Sequence, residues 1–347
     1  MKTKRIAIRT DGSAQIGTGH LMRCMTIANA LKEKQAEVFF VINNEQSEIF
    51  LGERGFSYHM LQGNYESMKE ETFELLQILK EQDVQLLIVD SYNATEEYLA
   101  KINAQIPVFY LDDFEANNLS VSGLINYNVY AKKAFYEKHY PKEVELILGS
   151  NYAPVKPEFS ATSYEIRDKV KRILITMGGS DMQNIAGSLG KELIHELPED
   201  IELTLICGKF NPHLEELKDF SKENPRAQIL INVPDMWNQI AKSDLVIAAT
   251  GTTMYELCTI GVPTICCHYV DNQRKMAEYF GNETSMLNAG DYSEDPKEVL
   301  RAIVKETKRL ISDVELRHKL SMEMKAISDG KGAHRIAEKL CNYLETK

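Results

Sequence analysis

Apolar residues run along the chain in short blocks, and most blocks are too continuous for strands with only one buried face. In the first half they fall at Arg5–Ile8, Val38–Ile42, Leu86–Val89, Val108–Leu111, Leu124–Ile125 and Leu146–Leu148. Runs of this kind suit strands covered on both sides. Between them apolar positions recur at helical spacing, most clearly over Lys69–Glu81 and Thr95–Asn103, so the pattern predicts a parallel sheet between layers of helix. Periodicity lapses over Tyr152–Ser163, where Pro154, Pro157, Ser160, Thr162 and Ser163 mark a linker. The alternation then resumes, with strands at Arg172–Thr176, Leu203–Cys207, Gln228–Ile231, Leu245–Ala249 and Pro263–Cys267 and a helix over Asn184–Leu197. The expected class is α/β, with two Rossmann-like doubly wound domains facing a cleft, one over 1–155 and one over 165–330. Residues 331–347 carry an amphipathic stretch, about His334–Tyr343, read as a C-terminal helix that packs back on the first domain.

The stretch RTDGSAQIGTGHLMRCMTIANAL, from Arg9 to Leu31, joins the first strand to the first helix. Asp11, Gly12, Gly17 and Gly19 make a polar, glycine-spaced turn, and Leu21, Cys24, Met25, Ala28 and Leu31 follow at helical spacing. His20 therefore falls in or just before the first helical turn, where the positive end of the dipole disfavours imidazolium. A neutral imidazole at the carboxyl end of a strand in an open sheet is placed to act as a general base. The plainer alternative is a helix-start histidine bonded to backbone. Asp90-Ser91-Tyr92-Asn93 and Asp112-Asp113 also follow strands and point to the same rim. Tyr92 is read as bonding a substrate or orienting His20, and the aspartates as capping groups or partners of the Asp11 loop.

Three loops in the second half each follow a strand. Met177-Gly178-Gly179-Ser180-Asp181 has the glycines for close approach of backbone N–H groups to a phosphate, but it is neither a dinucleotide fingerprint nor a Walker loop. Thr250-Gly251-Thr252-Thr253 adds hydroxyl donors and a helix start, and Glu256 lies one turn on, suited either to a ribose hydroxyl or to a capping box. His268, Tyr269, Asp271, Asn272 and Gln273 offer groups for a sugar, or a helix cap at Asp271 or Asn272.

Composition narrows the ligand. With 40 basic against 51 acidic residues the chain carries a net charge of −11, which argues against nucleic acid as a partner and leaves anions to be held locally by loops and helix ends. The six cysteines show no CxxC spacing and sit mostly in apolar runs, so they read as core residues of a cytoplasmic protein without metal or cofactor. No apolar run is long enough to span a membrane.

Taken in order, RTDGSAQIGTGHLMRC, LLIVDSYN, YLDDF, LINYNVYA, LGSNYAPVKPEF, ITMGGSD, AATGTTMYEL and the Asn272-Gln273 pair resemble the UDP-2,4-diacetamido-2,4,6-trideoxy-β-L-altropyranose hydrolases of pseudaminic acid biosynthesis. That family is similar in fold to the glycosyltransferase B class. The resemblance implies cleavage of a UDP-sugar to free sugar and UDP, with His20, Asp11 and Tyr92 in catalysis. It also implies Gly178, Gly179, Ser180, Thr250, Gly251, Thr252, Thr253 and Glu256 at the nucleotide, and Arg9, Gly17, Gly19, Asn272 and Gln273 at the sugar. Ser91 stands where the family pattern has a histidine, and Thr252-Thr253 where it has a serine pair. The alternatives are a glycosyltransferase of the same fold, with His20 activating an acceptor hydroxyl, and a nucleotide-sugar sensor without turnover.

Overall fold

The computed structural model describes residues 3–12, 18–63, 67–179, 181–208 and 211–346. The chain divides into two compact units, Met1–Val155 with Lys331–Lys347, and Lys156–Gly330. In the first, strands β1 (Arg5–Thr10), β2 (Glu37–Ile42), β3 (Tyr58–Met60), β4 (Leu86–Asp90), β5 (Val108–Leu111), β6 (Gly123–Asn126) and β7 (Glu145–Leu148) form one sheet in the order β3-β2-β1-β4-β5-β6-β7. Every pairing is parallel. The strand order reverses between β1 and β4, whose register sets Thr10 beside Asp90. Crevices at such a reversal, outside the carboxyl ends of the strands, are where open α/β sheets take ligands.

The second unit repeats the plan with β8 (Arg172–Thr176), β9 (Glu202–Cys207), β10 (Ala227–Ile231), β11 (Leu245–Ala249), β12 (Thr264–His268) and β13 (Leu287–Asp291), ordered β10-β9-β8-β11-β12-β13 and again parallel. Its reversal lies between β8 and β11. The central strands are buried along almost their whole length, β4, β11 and β12 completely, which is why they read as unbroken apolar runs.

The sequence pattern missed β3 and β13. Tyr58–Met60 is a three-residue edge strand with no fully buried position, and Leu287–Asp291 reads LNAGD with every residue only partly covered. Neither carries the apolar density that marks a strand buried on both faces. The linker expected to be irregular contains a short 3-10 turn at Ser150–Tyr152 and a helix at Pro157–Ala161, opened by its proline.

The last helix, Gly332–Glu345, packs against the first helix, Gly19–Glu33, in the first unit. Ala333, Ile336, Ala337, Leu340 and Cys341 form its buried stripe. Polar ties at its rim join His334 to Glu33 at 2.8 Å, Lys339 to Glu145 at 2.9 Å and Lys4 to Glu345 at 2.6 Å. Among the described residues no helix is long and apolar enough to cross a membrane.

Candidate active site

His20 occupies the first turn of the first helix, with its side chain 9% exposed. Its Nδ1 lies 2.6 Å from Oδ1 of Asp90, the last residue of β4. Two lone pairs would repel at that distance, so Nδ1 carries the hydrogen of that bond. Asp90 is fully buried, which by itself would raise its pKa, but Arg23 and His20 hold it well below the usual carboxylate range. Arg23 donates through Nε and Nη2 to Asp90 at 2.7 and 2.5 Å, and through Nη1 to Asp113 at 2.9 and 3.1 Å and to the Tyr127 hydroxyl at 2.7 Å. The Cys24 thiol completes the set, 3.2 Å from Asp90 Oδ2. Helical spacing explains why Arg23 and Cys24 join His20, since residues three and four apart share a face.

Tyr92 packs its ring nearly perpendicular to that of His20, with centroids 4.6 Å apart. Its hydroxyl donates to Asp113 at 2.8 Å, and burial together with Asp113 pushes the phenol well above its ordinary range. The hydroxyl read as bonding a substrate or orienting His20 donates to Asp113 instead, and Tyr92 meets His20 through its ring. Asp112 accepts from the backbone N–H groups of Phe114 and Ala116 and from the Tyr136 hydroxyl. The aspartate pair thus caps its own turn and holds Arg23, and the expected bond to the Asp11 loop gives way to these partners.

Arg9 and Asp11 require a second correction. Arg9 is fully buried and donates to both oxygens of Glu71, at 2.7 and 2.8 Å, and to Asp11. Asp11 also accepts from the Asn43 backbone at 2.7 Å and from Asn44 Nδ2 at 2.9 Å. An arginine whose donors are engaged inside the core has none for a sugar, and Asp11 is equally enclosed. The two anchor the start of the β1 loop. Gly19 opens the first helix, and among the described residues nothing lies within 4 Å of where a Cβ would stand. Gly17 and Ser180 lie outside the described residues.

In the second unit three rim loops are tied together. The Tyr269 hydroxyl donates to the Met177 carbonyl at 2.8 Å, and the Thr250 hydroxyl to the Gln273 carbonyl at 3.2 Å. Gly178 adopts φ +87°, and a side chain at Gly208, after β9, would overlap the Gly179 carbonyl oxygen. Glycine at 208 is thus what lets the β9 loop press against the Gly178-Gly179 turn. Asp181 accepts from the backbone N–H groups of Ile185 and Ala186, capping the next helix. Thr250 is buried, while Thr252 stands exposed before the helix Thr253–Ile260 and makes no side-chain cap bond. First-turn N–H groups of a helix have no partner within it, so Gly251 to Thr253 present donors suited to an anion.

Glu256 makes no hydrogen bond among the described residues, so the capping-box alternative is not realised there. Burial pushes it up to about 7, against a weaker pull down from Lys156. Nor do Asp271 or Asn272 cap their helix, Asp271–Glu283, whose start at Val270 has no side-chain cap. Asn272 is exposed, and Gln273 Oε1 accepts from the Tyr269 backbone at 3.1 Å. His268 departs from its expected place among sugar-bonding groups: both ring nitrogens are buried, with Nε2 3.4 Å from Asp291.

Comparison with known proteins places this arrangement. Residues 173–331 match the glycosyltransferase family 28 C-terminal domain. Over 98% of the chain and 99% of its counterpart, the structure superposes on Acinetobacter baumannii MurG with a TM-score of 0.69 at 14% identity. The chain has the glycosyltransferase B fold. A second member of that fold, a UDP co-structure of S. aureus MnaA, matches with a TM-score of 0.65 at 17% identity, over 99% of this chain and 97% of that one. Among curated sequences, the UDP-2,4-diacetamido-2,4,6-trideoxy-beta-L-altropyranose hydrolase of Campylobacter jejuni is 27% identical, covering 80% of this chain and 97% of its own. The spore coat polysaccharide biosynthesis protein SpsG of Bacillus subtilis is 24% identical over 98% of both.

Within the glycosyltransferase B fold of this chain, sequence reasoning singled out His20 but did not pair it with Asp90. Asp90 ends an apolar run as LLIVD, and Arg23 lies three residues after His20. A charge terminating a fully apolar strand and a charge one turn along the same helix face were both visible; what the sequence lacked was the β1–β4 pairing that brings them together.

Proposed function

We propose that the chain hydrolyses a UDP-linked 2,4-diacetamido-2,4,6-trideoxy sugar, releasing free sugar and UDP. The carrying observation is the buried His20–Asp90 pair, with Nδ1 held by a carboxylate and Nε2 left as the basic nitrogen. In this mechanism Nε2 takes a proton from water as the water oxygen attacks the anomeric carbon. The bond from that carbon to the phosphate oxygen breaks, and its electron pair leaves with UDP from the opposite face, inverting the centre. Asp90 and Arg23 keep the imidazole in one tautomer, and Asp90 stabilises the positive charge that the ring acquires. Within the second unit, the Gly178-Gly179 turn and the Thr250–Thr253 loop offer backbone donors for a diphosphate, Glu256 a carboxyl for a ribose hydroxyl, and Asn272 and Gln273 amides for a sugar. The curated hydrolase similarity supports water as the nucleophile. The family 28 domain favours a second reading, transfer to an acceptor hydroxyl with the same base.

Turnover in 18O-labelled water, followed by NMR at the anomeric carbon, tests the proposal. Label on the released sugar with inverted configuration is expected. Label on UDP instead, or release of sugar only when an acceptor is added, refutes it. Replacing His20 by asparagine should abolish turnover and leave UDP affinity nearly unchanged.

A further inference from the structure

β10 ends the sheet of the second unit and pairs only with β9. The ladder shows which of its backbone groups face outward. Leu203 N–H donates to the Arg226 carbonyl at 2.8 Å, Asn232 N–H donates to the Cys207 carbonyl at 2.9 Å, and Ile229 stands in register with Leu205. Along a strand, alternate residues turn their N–H and C=O to opposite sides. Gln228 and Leu230 therefore face β9, and Ala227, Ile229 and Ile231 face away from it. Ala227 is closed off locally, its N–H donating to the Asn224 carbonyl at 2.8 Å and its carbonyl accepting from the Ser221 hydroxyl at 2.6 Å. Ile229 and Ile231 keep N–H and C=O groups that no described strand meets.

An open strand edge is a template for another chain, and proteins blunt it by shortness, charge, proline or a bulge. The other sheet ends show such devices: β3 has three residues, β7 carries Glu145, and the register of β13 shifts between Cys266 and His268. β10, AQILI, has none of them. It keeps unbroken register with β9 over all five residues, and no charge lies from Ala227 to Pro234. The edge is also apolar, with Ile231 42% exposed and Ile229 half-buried.

We propose that β10 pairs antiparallel with β10 of a second copy of this chain, about a twofold axis at Leu230, joining two six-stranded sheets into one. In that register Ile229 of each copy lies opposite Ile231 of the other, and each such pair exchanges both its hydrogen bonds. Every open group at the two isoleucines is then met. The same pairing sets β-branched side chains against each other across the strands. Charge selects the direction. Arg226, just before the strand, donates to the carbonyls of Ile194, Pro198 and Ile201 and pairs with no carboxylate among the described residues, and Asp235 follows the strand. Antiparallel pairing of like copies turns each basic end toward the other's acidic end, whereas parallel pairing sets like charges together. The edge is about 17 Å long and, with the helix layers of a doubly wound unit, about 30 Å deep. About 500 Å² from each copy reaches the lower bound of a specific interface, so the dimer is weak and depends on concentration.

Sedimentation velocity of the full chain, diluted from millimolar to micromolar, is expected to show mass falling from two copies to one. Leu230 faces its own copy in a non-hydrogen-bonded pair, with Cα atoms about 4.5 Å apart, a span that a disulfide bridges. The native cysteines are buried. Leu230→Cys should therefore give a disulfide-linked dimer under mild oxidation, and Gln228→Cys, which lies opposite Asn232, should not. Ile231→Pro removes an N–H that meets no strand in the single chain, so the unfolding midpoint should hold. Association should weaken by at least about tenfold, because one hydrogen bond of each Ile229–Ile231 pair is lost.

A wild-type chain that stays monomeric throughout, mass that climbs past two copies, a dimer indifferent to Ile231→Pro, or equal cross-linking at Gln228→Cys and Leu230→Cys each overturns the proposal. If Ile231→Pro lowers the unfolding midpoint, the two cysteine variants decide.

Discussion

Replacing Asp90 by asparagine keeps the shape of the side chain, removes its charge and turns one acceptor into a donor. Four donors converge on the two oxygens: His20 Nδ1 at 2.6 Å and Arg23 Nη2 at 2.5 Å on Oδ1, Arg23 Nε at 2.7 Å and Cys24 Sγ at 3.2 Å on Oδ2. With the new NH2 on the Oδ1 side, His20 must accept through Nδ1 and carry its hydrogen on Nε2, so the basic nitrogen is lost. With the NH2 on the Oδ2 side, it confronts Arg23 Nε–H while Oδ1 still accepts from His20 Nδ1 and Arg23 Nη2. The first arrangement costs about four orders of magnitude in kcat, as a wrong tautomer does in a triad. Either one removes the charge of Asp90 from the buried guanidinium, at a cost of about 3–5 kcal/mol of stability, the scale of a buried ion pair broken from one side. Steady-state hydrolysis, denaturant unfolding and the 15N shifts of the His20 ring separate the two. Cys24→Ala removes only the long thiol contact and serves as the control, with turnover within about threefold of wild type because a single weak hydrogen bond is at stake. Asp90→Asn protein with turnover within about threefold of wild type and an unchanged unfolding midpoint would refute the assignment of His20 and Asp90 as a functional pair.

Glu256 supplies a pH dependence of stability. Its folded pKa of about 7 lies above its ordinary value of 4.5, so the folded state binds the extra proton between those values and its contribution is lost as pH rises through that window. Glu256→Gln should remove that slope between about pH 4.5 and 7, with a constant difference from wild type above it, and parallel curves across the window would count against a raised carboxyl. Gly208→Ala forces a methyl onto the Gly179 carbonyl and displaces the Gly178-Gly179 turn; UDP affinity should fall at least about tenfold by calorimetry, the effect of misplacing a binding group. Gly19→Ala places its methyl in open space within the first helix, so the unfolding temperature should hold or rise with the better helix former, and a loss of turnover would mark close backbone approach to substrate. Arg317, 1% exposed, donates to the carbonyls of Leu310, Ile311, Arg167 and Asp168; Arg317→Ala should destabilise the second unit by about 3 kcal/mol or more in urea, since several buried acceptors lose their donor at once.

Legibility of the sequence followed burial. Strands covered on both faces, such as Leu86–Asp90 and Leu245–Ala249, appear as unbroken apolar runs and were found to within a residue. The edge strand Tyr58–Met60 and the polar strand Leu287–Asp291 were not, because their pairing is decided by neighbours and not by their own side chains. Local chemistry in the sequence locates His20 at a helix start and the glycines in loops. Long-range partners are not legible there. Arg9 and Asp11 look like a ligand-facing pair in a polar loop until Glu71, Asn43 and Asn44 come in from distant segments. Tyr92 looks like a group for substrate until Asp113, following β5, accepts the hydrogen bond of its hydroxyl.

Two buried arginines flank the loop between β1 and the first helix, and each meets two carboxylates, Glu71 and Asp11 for Arg9, Asp90 and Asp113 for Arg23. Each group of three therefore carries a formal charge of −1. Buried ion pairs of this kind add little net stability and act chiefly to fix geometry. The two differ in how the surplus charge is met. Around Arg9 it is spread over fixed neutral donors, the Asn43 backbone, Asn44 and the Tyr98 hydroxyl. Around Arg23 the donor that can change its charge is His20, set on Asp90. In the proposed mechanism Nε2 takes a proton, and the Arg23 group and the imidazolium together become neutral, so little needs to reorganise as the charge develops. The same charge count separates the Arg9 group, whose partners are fixed, from the Arg23 group proposed as the site, although both lie at the same end of β1.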